Sequence, residues 1–298
     1  FVCLNSFTYF CRKRKRMKSR LIVIFLLILG CVGCKERTPE YPDQPVVIVF
    51  ENDVHCAIDG YAKLAALKEQ QLLETPYVTT VSCGDFVQGD VVGSLSKGEN
   101  IVTIMNEVKY DVVTLGNHEF DFGMPQLFKL RDSLNASVVS TNFCDFRTGK
   151  HIFPSYQIIQ YGEVDIAFMG FTTTTTPTMV APHTFLNEDK QIVYGFYRPK
   201  FYENAQRQID KARAEGADYV VALSHLGDMD RGEHASSISL ITHTTGIDVV
   251  LDGHDHRVIP DSLVYNRKGE PVLLASTGVK FQNIGLLIVP IVIGAVND

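Results

Sequence analysis

Cysteine is scarce outside the start of the chain. Four of the seven cysteines lie within residues 1–34, and only Cys56, Cys83 and Cys144 belong to the remaining sequence. These three are odd in number and widely spaced, and no Cys-x-x-Cys pair occurs among them. We therefore predict neither a disulfide framework nor a cysteine-based zinc site. Cys56 and Cys83, which flank two of the acidic clusters, are expected to be small buried residues that fill space in the core and bind no metal.

Basic residues are scarce once the start of the chain is set aside. Residues 1–34 hold seven of the 28 Lys and Arg residues and no acidic one, which leaves 21 basic against 34 acidic side chains elsewhere, a formal net charge of −13. So acidic a surface does not attract a phosphate backbone, and we expect no nucleic-acid partner. Its field would attract divalent cations instead.

Apolar runs of membrane-spanning length are also missing. The runs at 21–30 and 284–296 are both too short for a comfortable span. The first follows Met17-Lys18-Ser19-Arg20 and so has the basic start and apolar centre of an export signal. Gly30-Cys31 and Gly33-Cys34 come next, as in the signal of a bacterial lipoprotein, with Cys31 and Cys34 as alternative lipid-carrying residues. An uncleaved amino-terminal anchor is the other interpretation; both predict an exported protein, periplasmic or at the cell surface, tethered to a membrane.

The chain divides into three parts. Residues 1–34 combine an over-extended start with the signal segment, and residues 35–45, which contain three prolines, are predicted to be a short extended linker. Residues 46–298 are predicted to form the folded domain, long enough to bury a substantial core.

Within that domain, strand and helix patterns alternate. Strands are predicted at 46–50, 77–82, 111–115, 138–140, 219–224 and 247–251, and helices at 61–73, 100–108, 124–134 and 199–215. Hairpins are predicted at 156–171 and 263–275, and a last strand begins at 284. Alternation implies parallel strands and the hairpins imply antiparallel edges, so we expect mixed sheets in an α/β fold. The threonine tract 172–176 is interpreted as a solvated loop.

Clusters of Asp, Asn and His follow five of the strand-like runs. They are Asn52-Asp53-Val54-His55, Gly84-Asp85, Gly116-Asn117-His118-Glu119-Phe120-Asp121, Ser224-His225-Leu226-Gly227 and Gly253-His254-Asp255-His256. Because open α/β sheets place functional groups at the carboxyl ends of their strands, we expect the clusters to converge on one rim. Each of the last four clusters contains a glycine. Because glycine has no Cβ atom, these residues would let the backbone pass close to that rim: Gly84, Gly116, Gly227 and Gly253.

Two Asp, one Asn and four His of these clusters offer oxygen and nitrogen donors without thiolate, a set that suits Zn, Mn, Fe or Co. Seven donors are too many for one tetrahedral ion, which argues against a structural mononuclear site. They suit two divalent metal ions that share a carboxylate bridge. A two-metal site clamps both oxygens of an in-line displacement at phosphorus.

In this order, the five clusters resemble the signatures of the calcineurin-like metallophosphoesterases. The forms GNHEFD (116–121) and SHLG (224–227) resemble the branch that contains 5′-nucleotidases, UDP-sugar hydrolases and 2′,3′-cyclic-nucleotide phosphodiesterases. The resemblance covers about 46–288 and implies a four-layer α/β/β/α sandwich with two mixed β-sheets. It also implies a set of metal ligands: Asp53, His55 and His256 for one ion, Asn117, His225 and His254 for the other, and Asp85 as the bridge.

For catalysis, the resemblance implies that His118 faces the phosphoryl group without binding metal, and that Asp121 orients it and balances its charge. The expected reaction is hydrolysis of phosphate esters, most simply 5′-nucleotides or related nucleotide phosphates, by in-line attack of a metal-activated hydroxide. The chain departs from the family at Cys56, where glycine is common.

A second departure concerns the substrate. Nucleotidases of this branch usually continue into a second domain that clamps the base, and no such domain is visible in this sequence. We expect either a catalytic domain that works alone, or a truncated reading of a longer protein or split gene with a separate partner domain. The alternative function is a metal-binding or interaction protein with little turnover.

Further polar residues receive weaker interpretations. Glu51, Glu119, Asp252 and Asp255, beside the clusters, are taken as loop charges or as groups that support the ligands. Arg198 and Arg257 could contact a substrate phosphate, although simple exposure is preferred. The remaining histidines are taken as surface or loop residues: His151, His183, His234 and His243.

Overall fold

The computed structural model describes residues 2–4, 44–196, 200–229 and 232–290. Cys31, Cys34, almost all of the predicted linker, and Arg198 lie outside these residues. Among the helices in the described ranges, none is both long and apolar enough to cross a membrane.

The described strands and helices alternate along most of the chain. In chain order the strands are β1 (Val2–Leu4), β2 (Val46–Glu51), β3 (Val78–Ser82), β4 (Val112–Val113), β5 (Ser137–Val138), β6 (Phe143–Asp145), β7 (Lys150–His151), β8 (Tyr156–Tyr161), β9 (Val164–Thr172), β10 (Tyr194–Phe196), β11 (Tyr219–His225), β12 (Val249–Leu251), β13 (Val258–Tyr265), β14 (Pro271–Thr277) and β15 (Gly285–Val289). The helices are α1 (Asp59–Glu74), α2 (Val91–Ser96), α3 (Glu99–Val108), α4 (Met124–Ser133), α5 (Thr176–Met179), α6 (Phe201–Ala214) and α7 (Ser237–His243). Short 3₁₀ turns occur at His118–Phe120 and Pro182–Phe185.

These strands form two large mixed sheets and one small one. The first large sheet has the order β1-β15-β2-β3-β4-β5, and the second has the order β13-β14-β12-β11-β9-β8. Pairing is parallel among β2, β3, β4 and β5, and antiparallel between β15 and β2. The small sheet has the order β10-β6-β7 and is antiparallel. Its three strands pair with no strand of the two large sheets.

Alternate residues of β2 belong to two different apolar cores, one on each face of the first large sheet. Val46, Ile48 and Phe50 join an apolar core shared with strands of the second sheet, whereas Val47 and Val49 join the core beneath α1, α3 and α4. Both faces of this strand are covered, so its sequence is a continuous apolar run.

The second sheet repeats the arrangement. In β11, Val221 and Leu223 belong to the core between the sheets, whereas Val220 and Ala222 pack in a third core with residues of α6 and α7. Helices therefore cover the outer face of each large sheet. The predicted four-layer α/β/β/α fold with two mixed sheets is confirmed.

Most predicted elements are present, with shifts at their ends. Both predicted hairpins occur, as β8–β9 and β13–β14. The predicted strand at 111–115 is reduced to Val112–Val113, and the short helices α2 and α7 and the small sheet were not predicted. Cys56, Cys83 and Cys144 are free and buried, and burial was expected for the first two.

The expectation that the threonine tract 172–176 forms a solvated loop is wrong, because all five residues are buried. The tract continues β9 into the interior, and the hydroxyls of three of its residues, Thr173, Thr175 and Thr176, bond within the tract. Thr176 Oγ1 donates to the carbonyl of Thr173 at 2.7 Å, and the hydroxyls of Thr173 and Thr175 lie 2.8 Å apart.

Candidate metal centre

Parallel pairing brings the polar clusters together at one edge of the two large sheets. In the first sheet, β2, β3 and β4 are parallel neighbours, so the segments that follow them leave the same edge. In the second sheet, β11 and β12 are also parallel neighbours. The contacts below show that the two edges meet, which places the clusters on a common rim.

Three histidines lie close to the carboxylate of Asp53, and two of them come from distant parts of the chain. Its Oδ1 atom lies 3.4 Å from His256 Nε2, 3.7 Å from His225 Nε2 and 3.9 Å from His55 Nε2. Asp53 and His55 follow β2 of the first sheet, whereas His225 ends β11 of the second. The carboxylate therefore stands between the sheets, with nitrogen donors on both sides.

Asp85 lies beside it in the same space. Its Oδ2 atom is 3.1 Å from His225 Nε2 and 3.9 Å from His55 Nε2. Three groups have donor atoms that all lie within 4.8 Å of one another: Asp53 with His55 and His256, His55 with Asp85 and His118, and Asp53 with Asp85 and His225. These overlapping groups share Asp53, Asp85 and His55, as donors of two neighbouring ions would.

Two buried oxygen atoms support a cation site. Asp53 Oδ1 and Asn117 Oδ1 accept no hydrogen bond within the described part of the chain. A buried polar atom without a hydrogen bond costs roughly 1–3 kcal/mol, and this cost is removed when the atom binds a cation. Oxygen and imidazole donors together suit divalent metal ions, so the residues present fit such a group.

His254 and Asn117 lie at the margin of this arrangement. The backbone N–H of His254 donates to Asp53 Oδ2 at 2.8 Å, and its ring centroid is 5.3 Å from that of His225. Neither His254 nor Asn117 is in the three groups defined above. Asn117 is a candidate ligand because its side-chain oxygen is buried and accepts no hydrogen bond in the described ranges. The structure therefore brings Asp53, Asp85, His55, His225 and His256 into direct proximity and places the other two predicted ligands around them.

The imidazole rings are oriented by backbone carbonyls. His225 Nδ1 lies 2.7 Å from the carbonyl of Cys83, and His55 Nδ1 lies 3.1 Å from that of Gln88. Each of these contacts directs the opposite nitrogen, Nε2, towards the two carboxylates. Because both contacts involve backbone carbonyls, which every residue has, the sequence alone does not reveal them.

His118 and Asp121 form a pair at the open side. His118 Nδ1 and Asp121 Oδ2 are 2.7 Å apart, and the side chains are 31% and 21% exposed. The backbone N–H of His118 donates to Asp85 Oδ1 at 2.8 Å. The His118 ring thus reaches the rim with one nitrogen occupied by Asp121.

The backbone of the centre is unusual. Five of the seven predicted ligands have a left-handed φ between 45° and 79°: Asp53, His55, Asp85, His254 and His256. Non-glycine residues adopt this region at a cost of about 1–2 kcal/mol each. Such clustered strain is typical of functional sites that the surrounding structure holds in place.

Two glycines are required by close approach to the carboxylates. A Cβ atom at Gly116 would lie 2.1 Å from Asp85 Oδ1, and one at Gly253 would lie 2.8 Å from Asp53 Oδ2. Larger residues would displace the donors, which supports the expectation that glycine lets the backbone pass close to the rim.

Opposite charges are concentrated in this buried space. Burial disfavours the charged form of His225, but the carboxylates of Asp85 and Asp53 raise its pKa to about 10. Burial likewise opposes ionisation of Asp85, yet the charge of His225 holds the pKa of that carboxyl well below its usual range. A proton on His225 therefore balances the carboxylates where a divalent cation would also balance them.

Three acidic residues beside the clusters support the loops through backbone N–H groups. Glu119 accepts from Asp85 and Gly116 among others, Asp252 accepts from Gly227 at 3.3 Å, and Asp255 accepts from Met229 at 3.0 Å. Burial raises the pKa of Glu119 and of Asp252 to about 7. The interpretation as ligand-supporting groups is thus the better one for these three.

Glu51 differs from those three residues. It is fully buried at the end of β2, and burial raises its pKa to about 8. Arg257 is exposed and pairs with Asp228 at 2.6 Å, in agreement with the simpler interpretation of that arginine. His183 and His243 are exposed, whereas His151 and His234 are partly buried.

Asn52 has a role that its place in the first cluster did not reveal. Its amide donates to Asp53 Oδ2 and to the carbonyl of Gly278, both at 2.7 Å. Its side-chain oxygen accepts from Thr277. In the sequence, Asn52 is visible only as an amide beside a predicted ligand, because its other partners, Thr277 and Gly278, lie more than two hundred residues away along the chain.

Comparisons with known proteins agree with this geometry. The trifunctional nucleotide phosphoesterase protein YfkN of Bacillus subtilis is 28% identical over 280 residues, which cover 81% of this chain and 18% of that protein. The snake venom 5′-nucleotidase of Gloydius brevicauda is 27% identical over 252 residues, covering 77% and 40%. This chain therefore spans less than half the length of either relative.

A solved structure extends the agreement to the fold. The crystal structure of a 5′-nucleotidase precursor from Thermus thermophilus superposes with a TM-score of 0.68 at 24% identity, over 82% of this chain and 51% of that one. The sequence profile of the calcineurin-like phosphoesterases matches residues 46–258, which include the five clusters. Because that match extends over more than half of the sequence, the chain belongs to the calcineurin-like phosphoesterase family.

Proposed function

We propose that this protein hydrolyses phosphate esters of nucleotides, 5′-nucleotides above all, with two divalent cations held between its large sheets. One observation carries the proposal: Asp53, Asp85 and His225 bring their donor atoms within 4.8 Å of one another in a buried space, beside the partly exposed His118–Asp121 pair. Nucleotide phosphoesterases and 5′-nucleotidases among the relatives support the substrate class.

One of the two proposed ligand sets coincides with an observed donor group, and the other follows the family resemblance. Asp53, His55 and His256 would hold one cation, and the first donor group consists of these residues. His225 would hold the other, together with two further ligands, Asn117 and His254. Asp85 would bridge the cations, in keeping with its place in both of the remaining groups. Divalent cations in such a pair supply positive charge to phosphoryl oxygens and make bound water more acidic.

The chain's own residues would orient and stabilise the reacting phosphoryl group. His118 is partly exposed at the rim, and Asp121 occupies its Nδ1, so Nε2 is the atom that can face a substrate. Burial disfavours the charged ring, but the hydrogen bond to Asp121 and the charge of Asp85 raise the pKa of His118 to about 9. A charged ring can stabilise negative charge on the phosphoryl group or protonate the leaving oxygen.

Hydrolysis of AMP and of a chromogenic phosphate diester, with and without Mn²⁺, tests the proposal. We expect cation-dependent hydrolysis in the wild type, and a loss of about 10²–10⁴-fold in His118→Ala, as for removal of a general acid. Cation content should stay the same, because His118 is assigned no ligand role. His243→Ala, an exposed histidine at the end of α7, is the matched control and should keep wild-type rates.

Equal rates for wild type and His118→Ala would contradict the proposal and favour a cation-binding protein with little turnover. Comparing the two substrates separates monoester from diester preference.

We also propose export and a membrane tether, on the basis of residues 17–34 alone. Expression of the full chain with Cys31→Ser, Cys34→Ser or both, followed by fractionation, tests this. A lipid anchor predicts that one of the single substitutions releases the protein from the membrane fraction. Release by neither of them would contradict a lipid anchor.

A further inference from the structure

Glu119 has an uncommon set of hydrogen bonds. Its carboxylate is 1% exposed and lies among backbone N–H groups. Oε2 accepts from Asp85 at 2.9 Å and from Gly116 at 2.6 Å, whereas Oε1 accepts from Phe86 at 2.8 Å and from Val87 at 3.3 Å. One side chain thus satisfies four backbone donors that come from two separate segments of the chain.

Those two segments carry the central groups of the site. The first segment, 84–87, follows β3 and holds Asp85. The second segment, 115–118, follows β4 and contains Asn117 and His118. Since β3 and β4 are parallel neighbours, their ends are close, but the strand ladder between them stops at Val113. Beyond the ladder, Glu119 joins the two segments, together with the 2.8 Å bond from the His118 N–H to Asp85 Oδ1.

The hydrogen bonds of Glu119 stabilise a strained backbone conformation at Asp85. Asp85 has a φ of 60°, which its side chain alone does not favour. The Glu119 bond to its N–H holds the residue in that conformation, with Oδ2 directed at His225 and His55. Without the carboxylate, the N–H groups of Asp85 and its neighbours would be buried without an acceptor.

We propose that Glu119 is the positioning residue of the metal centre: its carboxylate fixes Asp85 and the Asn117–His118 segment relative to each other, and so sets cation affinity. This proposal rests on the function proposed above and adds a residue to it. Glu119 acts through Asp85 and Asn117, without contact to cation or substrate.

A carboxylate is needed because all four contacts are donors from the protein. Glu119→Gln keeps the size and one acceptor oxygen, but its NH₂ group faces two backbone N–H groups. Glu119→Asp keeps the charge and shortens the side chain. Two changes of different kind therefore report on the same bond set, so the test does not depend on one variant folding well.

Two measurements on the cation-free and cation-loaded protein test the proposal without any substrate. The first is amide hydrogen exchange at Asp85, Phe86, Val87 and Gly116, and the second is calorimetric titration with Mn²⁺. For Glu119→Gln we expect faster exchange at these four amides, with unchanged exchange in β2, and cation affinity lowered about 10- to 100-fold. Glu119→Asp should recover part of both effects.

Glu51→Gln is the matched control. Glu51 is an equally buried carboxylate in the same region, but its oxygens accept no backbone N–H in the described ranges. The control should leave the four amides unchanged, even if it lowers overall stability. A purely structural role for Glu119 would speed exchange across the whole domain, and wild-type affinity in Glu119→Gln would overturn the proposal.

The two proposals can fail separately. If wild type binds Mn²⁺ but hydrolyses no phosphate ester, the proposed function is wrong and the positioning role of Glu119 still stands on its own measurements. If hydrolysis is found but Glu119→Gln binds Mn²⁺ as tightly as wild type, only the role of Glu119 is wrong.

Discussion

The side-chain oxygen of Asn52 accepts hydrogen bonds from the backbone N–H and the hydroxyl of Thr277, at 2.8 and 2.7 Å. Asn52 follows β2 of the first large sheet, and Thr277 ends β14 of the second. The same side chain donates to Asp53 Oδ2. One buried amide therefore links the two sheets at the point where a predicted ligand leaves the first of them.

Replacing Asn52 by alanine should loosen this link. We expect Asn52→Ala to lower the free energy of unfolding by about 1–3 kcal/mol, because Thr277 would keep a buried N–H without an acceptor. Urea denaturation measures the change, and Mn²⁺ titration should show weaker binding. The exposed Asn135→Ala serves as control and should stay within about 0.5 kcal/mol of wild type. Equal stabilities would show that the link between the sheets contributes nothing.

A methyl group at Gly116 should damage the centre by steric conflict. Its Cβ atom would lie 2.1 Å from Asp85 Oδ1 and 2.7 Å from His225 Cε1. We expect Gly116→Ala to lower the free energy of unfolding by about 1–3 kcal/mol and to reduce cation content. Thermal unfolding and metal analysis after dialysis are the measurements.

Gly149→Ala separates this conflict from simple backbone strain. Gly149 has a φ of 67°, and a Cβ atom added there would meet no other atom within 4 Å, so only strain of about 1–2 kcal/mol is expected. Cation content should be unchanged in this variant. Full cation content in Gly116→Ala would mean that Asp85 has room to move aside.

The Asp121 carboxylate should control the protonation of His118. Burial lowers the pKa of His118, whereas the bond to Asp121 and the charge of Asp85 raise it to about 9. Asp121→Asn removes the charge of the partner, so the pKa should fall and His118 should lose its proton at a lower pH. NMR titration of the His118 ring measures this, with the exposed Asp132→Asn as control.

The same substitution has a consequence for the rate. If the charged His118 ring takes part in the reaction, the alkaline limb of the kcat/KM profile should move to lower pH in Asp121→Asn. An unchanged limb combined with a lowered pKa would show that the His118 proton is not used.

A histidine away from the centre should make stability depend on pH. Partial burial lowers the pKa of His151, and the positive charge of Arg207 lowers it further. The unfolded chain therefore binds a proton near pH 6.5 more readily than the folded one, so stability falls as pH decreases through that value. His151→Gln should reduce the difference between the free energies of unfolding at pH 7.5 and pH 5.5. An unchanged difference in His151→Gln would show that His151 does not link stability to pH.

Continuous apolar strands were the part of the fold most readily predicted. Val46–Glu51 is covered on both faces, and its β-branched run was sufficient evidence. The helices α2 and α7, of six and seven residues, are too short for a clear helical period. The threonine tract was misjudged because polar composition does not show that hydroxyls can satisfy one another inside the protein.

For the centre, sequence order identified the donors but not their supports. Asp53 and His256 were assigned to the same predicted ligand set, and in the structure Asp53 Oδ1 lies 3.4 Å from His256 Nε2. The bonds of Glu119 and Asn52 could not be predicted, because partners such as Asp85 and Thr277 lie on other segments of the chain and meet them only in the folded protein. The bonds of Glu119 depend on the ends of two neighbouring strands of one sheet, and the bonds from Thr277 to Asn52 depend on the approach of the two large sheets.

The donors around Asp53 come from segments that begin at residue 53 and end at residue 256. During synthesis, a growing chain cannot complete the first donor group until His256 has left the ribosome and the second sheet has closed against the first. Capture of a cation by this donor group would then have to follow the synthesis and the meeting of both large sheets, so that a loaded molecule would be one in which the two sheets are already packed together.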